Sequence, residues 1–198
     1  YWFLSNLRVF PNFEGVDPAT YITFGVTLWF LFTGLVQAPI HVVASSTKTS
    51  MKSSFPLSAT LVCGYANLFF ETFVRFAVVT LIVFIGSENL NPHALLLPIL
   101  LIPAFMFFVG AGIFLAAANL IYRDVSRIVT ICLQYGIFIS GVIFPYTNVE
   151  ILILINVVNP LAIFIAAARD LVFGVPFSDP SPYIILSAIS IFLFVAAL

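Results

Sequence analysis

The chain has 198 residues, of which 62% are hydrophobic and 8% charged. Soluble domains hold about 45–50% apolar and about 25% charged residues. Seven basic and eight acidic side chains are too few to wet a soluble globule, and a net charge of −1 gives no electrostatic handle on a nucleic acid. A soluble enzyme, a disordered tail and a nucleic-acid binder are excluded, which leaves an all-α polytopic helical membrane protein. Several apolar runs reach the roughly 20 residues needed to cross a bilayer.

Residues 1–19 mix Tyr1, Trp2 and Phe3 with Pro11, Gly15 and Pro18, and read as an interfacial loop. The first span is expected from about Tyr21 to Val43. Residues 44–56 are small, polar and basic, with Lys48 and Lys52, and read as a loop or short surface helix. Pro56 disfavours helix at Phe55 and suits a first helical turn. The second span is expected from about Leu57 to Ile85. Gly86 to Pro92 is a turn-rich break.

The third span runs from about Ala94 to Ala118, with Pro98 and Pro103 as the places for a kink. A charged break holds Arg123, Asp124 and Arg127. The fourth span is expected from about Ile128 to Tyr146. Residues 149–175 fall into two apolar pieces, each too short to cross alone, parted by Asn159-Pro160 and followed by Arg169-Asp170. Two half-helices or one proline-kinked span both fit; irregular backbone at depth needs cover from protein or water. A final span opens at Pro182 and is still apolar at Leu198. The chain starts without methionine and stops inside that run, so both ends read as cut.

Basic residues set the orientation. Segments 44–56 and 119–127 carry Lys48, Lys52, Arg123 and Arg127, and are expected on the cytoplasmic side. Residues 1–19 and 86–93 carry Glu14, Asp17 and Glu88 against Arg8 alone, and are expected outside with 147–181. No internal repeat supports an inverted-repeat transporter plan.

Catalytic motifs are absent: there is no phosphate-binding Gly-rich loop, no His-Glu-x-x-His and no Gly-x-Ser-x-Gly. No Cys/His cluster has metal-ligand spacing, and Cys63 and Cys132, both inside apolar runs, are expected to be buried small thiols. The acids are scattered over different loops, which argues against a membrane enzyme. Glu71 and Arg75 are the opposite charges well inside a span. Their spacing of four puts them on one helical face. Each needs a partner, a neighbouring helix or water, because a lone charge at mid-bilayer costs about 2.5–3.5 kcal/mol. They serve either as a structural pair or as a wall of a hydrated substrate path. Gln134, Tyr135, Phe138 and Ser140 give the fourth span polar and aromatic groups. Aromatic faces stack on sugar rings as well as on each other. Asp124 is placed to cap the helix that follows it.

The order of these features resembles the membrane subunit of type-2 ABC exporters, in the branch that exports O-antigen, capsule or teichoic-acid polysaccharides. The residues that carry the resemblance are Lys52-Ser-Ser-Phe55-Pro56, Asn119-Leu-Ile-Tyr122-Arg123-Asp124, Phe138-x-Ser140-x-Val142-Ile143-Phe144-Pro145, Asn159-Pro160 and Ala168-Arg169-Asp170-Leu171-Val-Phe-Gly174. The likeness covers most of residues 20–175. Leu57 departs from it, because the family usually carries a basic residue after Phe-Pro.

The resemblance implies a single type-2 transmembrane domain over 1–198, with six spans in the full family and about five here. The amphipathic helix and first span would lie outside the chain. Segment 44–56 would be the coupling element docking on an ATPase, through Lys48, Met51, Lys52, Phe55 and Pro56. Tyr122, Arg123 and Asp124 would form the motif at the cytoplasmic junction. Residues 149–175 would be external re-entrant helices, with Asn159, Pro160, Arg169 and Asp170 at an external gate. Glu71, Arg75, Gln134, Tyr135, Phe138 and Ser140 would line the translocation path. The implied partners are a second permease subunit, two ATP-binding-cassette subunits holding the ATP and Mg, and a lipid-linked glycan, all at the plasma membrane. The chain itself would hold no cofactor and catalyse nothing. Alternatives are a type-2 permease for drugs or lipids, a membrane glycosyl or acyl transferase, and a structural scaffold.

Overall fold

A computed structural model of the chain describes residues 18–49, 57–86, 92–143, 158–174 and 180–197. These residues form α1 (Pro18–Thr49), α2 (Leu57–Gly86), a 3-10 turn (Pro92–Leu96), α3 (Leu97–Ile121), α4 (Val125–Ile139), α5 (Pro160–Phe173) and α6 (Ser181–Ala197). The all-α class follows from the sequence pattern. Two stretches within the described residues, Ala19–Ala44 and His93–Ile121, are long and apolar enough to cross a membrane.

The bundle is assembled on α1. Phe24, Leu28, Trp29, Phe32, Leu35 and Ile40 are buried on it, and among its described side chains Thr23, Phe30 and His41 are exposed. Its threonines return their hydroxyls to the helix backbone: Thr23 donates to Ala19 O at 2.7 Å and Thr27 to Thr23 O at 2.9 Å. A hydroxyl paired in this way is tolerated in apolar surroundings. Pro39 lies inside α1 and lacks the N–H that would bond the Leu35 carbonyl. The backbone of α3 comes closest at this place. A Cβ on Gly112 would sit 2.8 Å from Val36 O and 3.0 Å from Leu35 O. Only hydrogens fit there, and they make weak C–H contacts to those oxygens.

The remaining contacts fix helix directions. Phe32 stacks on Phe108 at 4.7 Å, so that pair and Gly112 beside Pro39 advance together along α1 and α3, which run parallel. Tyr183 Oη donates to Leu100 O at 2.9 Å, and Gly110 meets Leu193, so α6 runs the same way. Phe24 meets Phe76 while Val42 meets Gly64, so α2 is antiparallel to α1. The start of α4 adjoins the end of α3, and Gly136 faces Trp29. Thr49, Leu57, Ile121 and Val125 therefore share one end of the bundle, here termed the basic end. Pro18, Gly86, Pro92 and Ser181 mark the opposite end. Lys48 on α1 and Arg123 in the α3–α4 junction lie together at the basic end, as the charge pattern leads one to expect.

Two boundaries differ from expectation. Helix α1 runs on through Ala44–Thr49, half of the segment expected as a loop or short surface helix; helix hydrogen bonds are internal, so a change from apolar to polar side chains does not end a helix. Helix α4 stops at Ile139 rather than near Tyr146. Its 15 residues span about 22 Å at 1.5 Å per residue, short of the ~30 Å hydrocarbon layer. Ser140 hydroxyl takes the Gly136 carbonyl at 2.8 Å, and Gly141 follows at φ 66°, a left-handed turn. Helix α3 passes through Pro103 unbroken, and Pro98 lies in its first turn, where the missing N–H costs nothing.

Replacing Gly112 with Ala is expected to lower stability by about 1–3 kcal/mol through overpacking against backbone. Gly64 has only an ordinary 3.5 Å contact waiting for a Cβ. Gly64→Ala is expected to be neutral or to gain up to about 1 kcal/mol from helix propensity. Thermal unfolding of the two variants in one detergent checks the contrast.

Candidate functional site

The densest polar arrangement lies at the end opposite the basic one, where α5 meets the start of α1 and the turn after α4. Helix α5 is delimited by cap chemistry. Asn159 Oδ1 accepts from Leu161 N at 3.1 Å, Pro160 fills the first helical turn, and Gly174 closes the helix at φ 73°. These are the residue types that a helix start and stop prefer. Asn159 Nδ2 also donates to Ser140 Oγ at 2.7 Å, tying the cap of α5 to the turn after α4.

Arg169 makes the second tie. Its side chain is only 4% exposed. Nη2 donates to Val142 O at 2.7 Å and to Tyr21 O at 3.2 Å, and Nη1 to Gly141 O at 3.4 Å. The guanidinium lies over the Tyr21 ring, 4.0 Å from its centre, a cation–π contact strengthened by desolvation. Nε has no acceptor among the described residues. Gly25 makes the room, because a Cβ there would overlap the guanidinium. Asp170 beside it is half-buried, and its carbonyl accepts from Gly174 N at 3.0 Å. Asn159 and Arg169 thus meet the turn that holds Ser140, while Pro160 and Asp170 are only their neighbours in sequence. Ser140 is buried here, apart from the exposed Gln134, Tyr135 and Phe138 on α4.

Glu71 sits at the midpoint of the 30-residue α2. Arg75 Nη2 is 3.7 Å from Glu71 Oε2, and the side chains are 46% and 65% exposed for Arg75 and Glu71. The Arg75 guanidinium also lies 5.0 Å from the centre of the Phe30 ring. Asn67 is exposed one turn before Glu71, so the polar stripe has three members at a spacing of four. Sequence reasoning missed Asn67, although the same spacing marks it. Between α1, α2 and α3 lies an apolar groove of about 500 Å³, lined by residues including Leu31, Phe69, Phe76, Leu101 and Phe105. Its polar member, Thr72, donates to Leu68 O at 2.7 Å, which leaves a wall suited to hydrocarbon.

At the basic end Tyr122, Arg123 and Asp124 are all exposed, Tyr122 at 69%. Asp124 occupies the cap position of α4, but its side chain makes no cap bond. The expected cap comes instead from buried Asn119, whose Oδ1 accepts from Ser126 N at 3.0 Å. The Tyr-Arg-Asp side chains are therefore not spent on the helix start and face outward. Lys48 lies in the last turn of α1. Met51, Lys52, Phe55 and Pro56 lie outside the described residues. Among the described residues no group of three or more His, Cys, Asp or Glu side chains is placed to hold a metal.

Asn119→Ala is expected to cost about 1 kcal/mol, the usual loss of a helix cap. Asp124→Ala is expected to stay within about 0.5 kcal/mol, as for exposed positions generally. Hydrogen exchange at residues 125–128 reads the difference.

No curated protein matches the chain. Residues 2–173, most of the chain, match the family described as ABC-2 type transporter. That stretch takes in the Tyr-Arg-Asp junction, the Ser140 turn and α5 through Arg169. The chain belongs to the ABC-2 type transporter family, as a non-catalytic membrane permease.

Proposed function

We propose that this permease is the membrane subunit of an ATP-driven exporter that moves lipid-linked polysaccharide, of O-antigen, capsule or teichoic-acid type, across the plasma membrane. The observation that carries the reading is the exposed face of α4. Gln134, Tyr135 and Phe138 offer hydrogen bonding and aromatic surface on one short helix, with no charge among them. A sugar polymer is polar but uncharged over much of its length and needs such walls more than fixed ions. The order of the Tyr122-Arg123-Asp124 and Ser140-x-Val142-Ile143-Phe144-Pro145 elements supports the same branch.

In this reading the basic end is cytoplasmic. Segment 44–56, with Lys48, Met51, Lys52, Phe55 and Pro56, docks on an ATPase subunit that holds the ATP and Mg. Two permease copies form the passage. About five helices enter the bilayer, α4 reaching only part of the way across, and residues 149–175 dip in from outside, with Asn159, Pro160, Arg169 and Asp170 at the exit. The short, capped α5, buried among α1, α3 and α6, supports this arrangement. Glu71 and Arg75, with Asn67, form a polar stripe at mid-depth that lines a hydrated path, joined by Gln134, Tyr135 and Phe138 from α4; Ser140, buried against Asn159, stands apart from that path. The apolar groove between α1, α2 and α3 favours a second reading, a permease for a lipid or an apolar drug.

Deleting the permease is expected to leave lipid-linked glycan inside the cell and none at the surface; a normal surface glycan with a retained lipid or drug supports the second reading. Co-purification is expected to recover an ATPase with Walker motifs, and its absence contradicts both. Glu71→Ala and Arg75→Ala are each expected to slow export, and the double variant to stay slow. Export at the normal rate in the double variant removes the stripe from the path.

A further inference from the structure

We propose that the groove between α1, α2 and α3 is a binding site for one acyl chain of a resident phospholipid, drawn from the leaflet away from Lys48 and Arg123. The site stands on membrane insertion alone; setting it apart from the cargo route rests on the path reading above.

The groove is open at one end and blind at the other. Helices α2 and α3 each pack along α1 and hardly on each other. Leu31 of α1 is buried at the floor. Given the helix directions, Phe76, Leu97 and Pro98 line the end away from the basic residues, and Phe69, Phe105 and Met106 line the deeper end. There Phe69 stacks on Phe105, with ring centres 5.0 Å apart and planes 18° apart, and the stack bridges α2 to α3. From Leu97 to Met106, α3 rises about 14 Å at 1.5 Å per residue, nearly half of the ~30 Å hydrocarbon layer. The bridge stands just short of the middle of the 25-residue α3. An acyl chain of one leaflet ends at that same depth, so the blind end falls where the chain does.

The walls select hydrocarbon. Thr72 is their polar side chain, and its hydroxyl is returned to Leu68 O at 2.7 Å. Water needs two to four polar partners to be held in such a place. An apolar wall without neighbours forfeits dispersion contacts, which a flexible chain filling the 500 Å³ supplies. The groove is continuous with apolar surface that meets lipid, because Phe73, Ile99 and Ile102 at its rim are exposed. A second transmembrane helix fits poorly. It is about 10–12 Å across and must continue past mid-depth, where the Phe69–Phe105 bridge closes the groove. The polar stripe lies on the other flank of α2, with Arg75 over Phe30 and not over Leu31. Cargo on that stripe and a chain in the groove therefore keep to different sides of the helix.

The test reconstitutes the permease complex in vesicles of phosphatidylethanolamine and phosphatidylglycerol, with a trace of phosphatidylcholine bearing a diazirine at the end of one chain. Illumination followed by peptide mass spectrometry reads where the chain end lies. Adducts at Phe69, Phe105 and Met106 are expected to exceed several-fold those at Phe70 and Val74, which are exposed at the same depth outside the groove. A diazirine near the carboxyl end of the chain is expected to move the label to Leu97 and Pro98. Leu101→Trp, which fills the groove, is expected to bring Phe69 and Phe105 down to the level of Phe70. If that variant does not assemble, the ratio and the shift in the unaltered chain decide. Equal labelling of Phe69 and Phe70 reduces the groove to ordinary lipid contact and overturns the site. A polyprenyl phosphate that displaces the phospholipid label from Phe69 makes this a cargo groove and overturns the resident-lipid assignment. So does an unlabelled groove with an Ile102→Cys disulfide between copies, which gives the face to a second copy. Preferential phospholipid labelling in a permease whose deletion leaves surface glycan normal keeps the site and removes the glycan assignment.

Discussion

Two close approaches that only glycine permits seat α3 and α5 on α1. At Gly112, α3 lies against the carbonyls around Pro39. At Gly25, the Arg169 guanidinium of α5 fills the place of a side chain. The first approach is apolar and broad, reinforced by the Phe32–Phe108 stack and the buried face of α3. The second is polar and narrow. Packing between membrane helices gains little from expelling water, since lipid tails are as apolar as leucine, so close approach and satisfied polar groups decide which helices associate. That constraint explains why a glycine stands at each of these contacts, Gly112 on α3 and Gly25 on α1, and why the threonines Thr23 and Thr27 bond their own backbone.

The two ends of the bundle solve different problems. At the basic end Asn119 completes the start of α4 from within the α3–α4 junction. Tyr122, Arg123 and Asp124 are left exposed around a rigid junction, a form suited to contact with another protein. At the opposite end polar groups are turned inward, and α5 is fastened to its neighbours by Asn159 and Arg169. Between the ends, the stripe of Asn67, Glu71 and Arg75 and the aromatic face of α4 are the exposed side chains least suited to plain lipid.

Much of this was legible from the amino-acid order, for identifiable reasons. The break before α5 was readable because Asn159-Pro160 parts two apolar runs, but that pattern fits a kinked span as well as a new helix, and Gly174 was not read as its stop. The gathering of Lys48 with Arg123 was readable because alternating helices return basic segments to one side. The ends of α1 and α4 were not. Hydropathy reports which side chains suit lipid, while the helix end at Ile139 is set by the Ser140 hydroxyl and the φ of Gly141, and α1 continues past its last apolar residue. The cap on α4 was assigned to Asp124 by nearness, but the bond comes from Asn119, seven residues before Ser126. The Arg169–Tyr21 contact spans 148 residues. No local pattern announces such a pairing, although a lone glycine in an apolar helix, as at Gly25, marks a place where something comes close.

The central claim is that the termini of α1 and α3 that carry Lys48 and Arg123 share one aqueous compartment, and that the start of α3 opens on the other. Single cysteines at positions 48, 93 and 123, in a chain lacking Cys63 and Cys132, test it through an impermeant thiol reagent added to intact cells. Position 93 is predicted to react from outside, and 48 and 123 only after the membrane is opened. Reaction of 48 or 123 alongside 93 in intact cells contradicts the architecture.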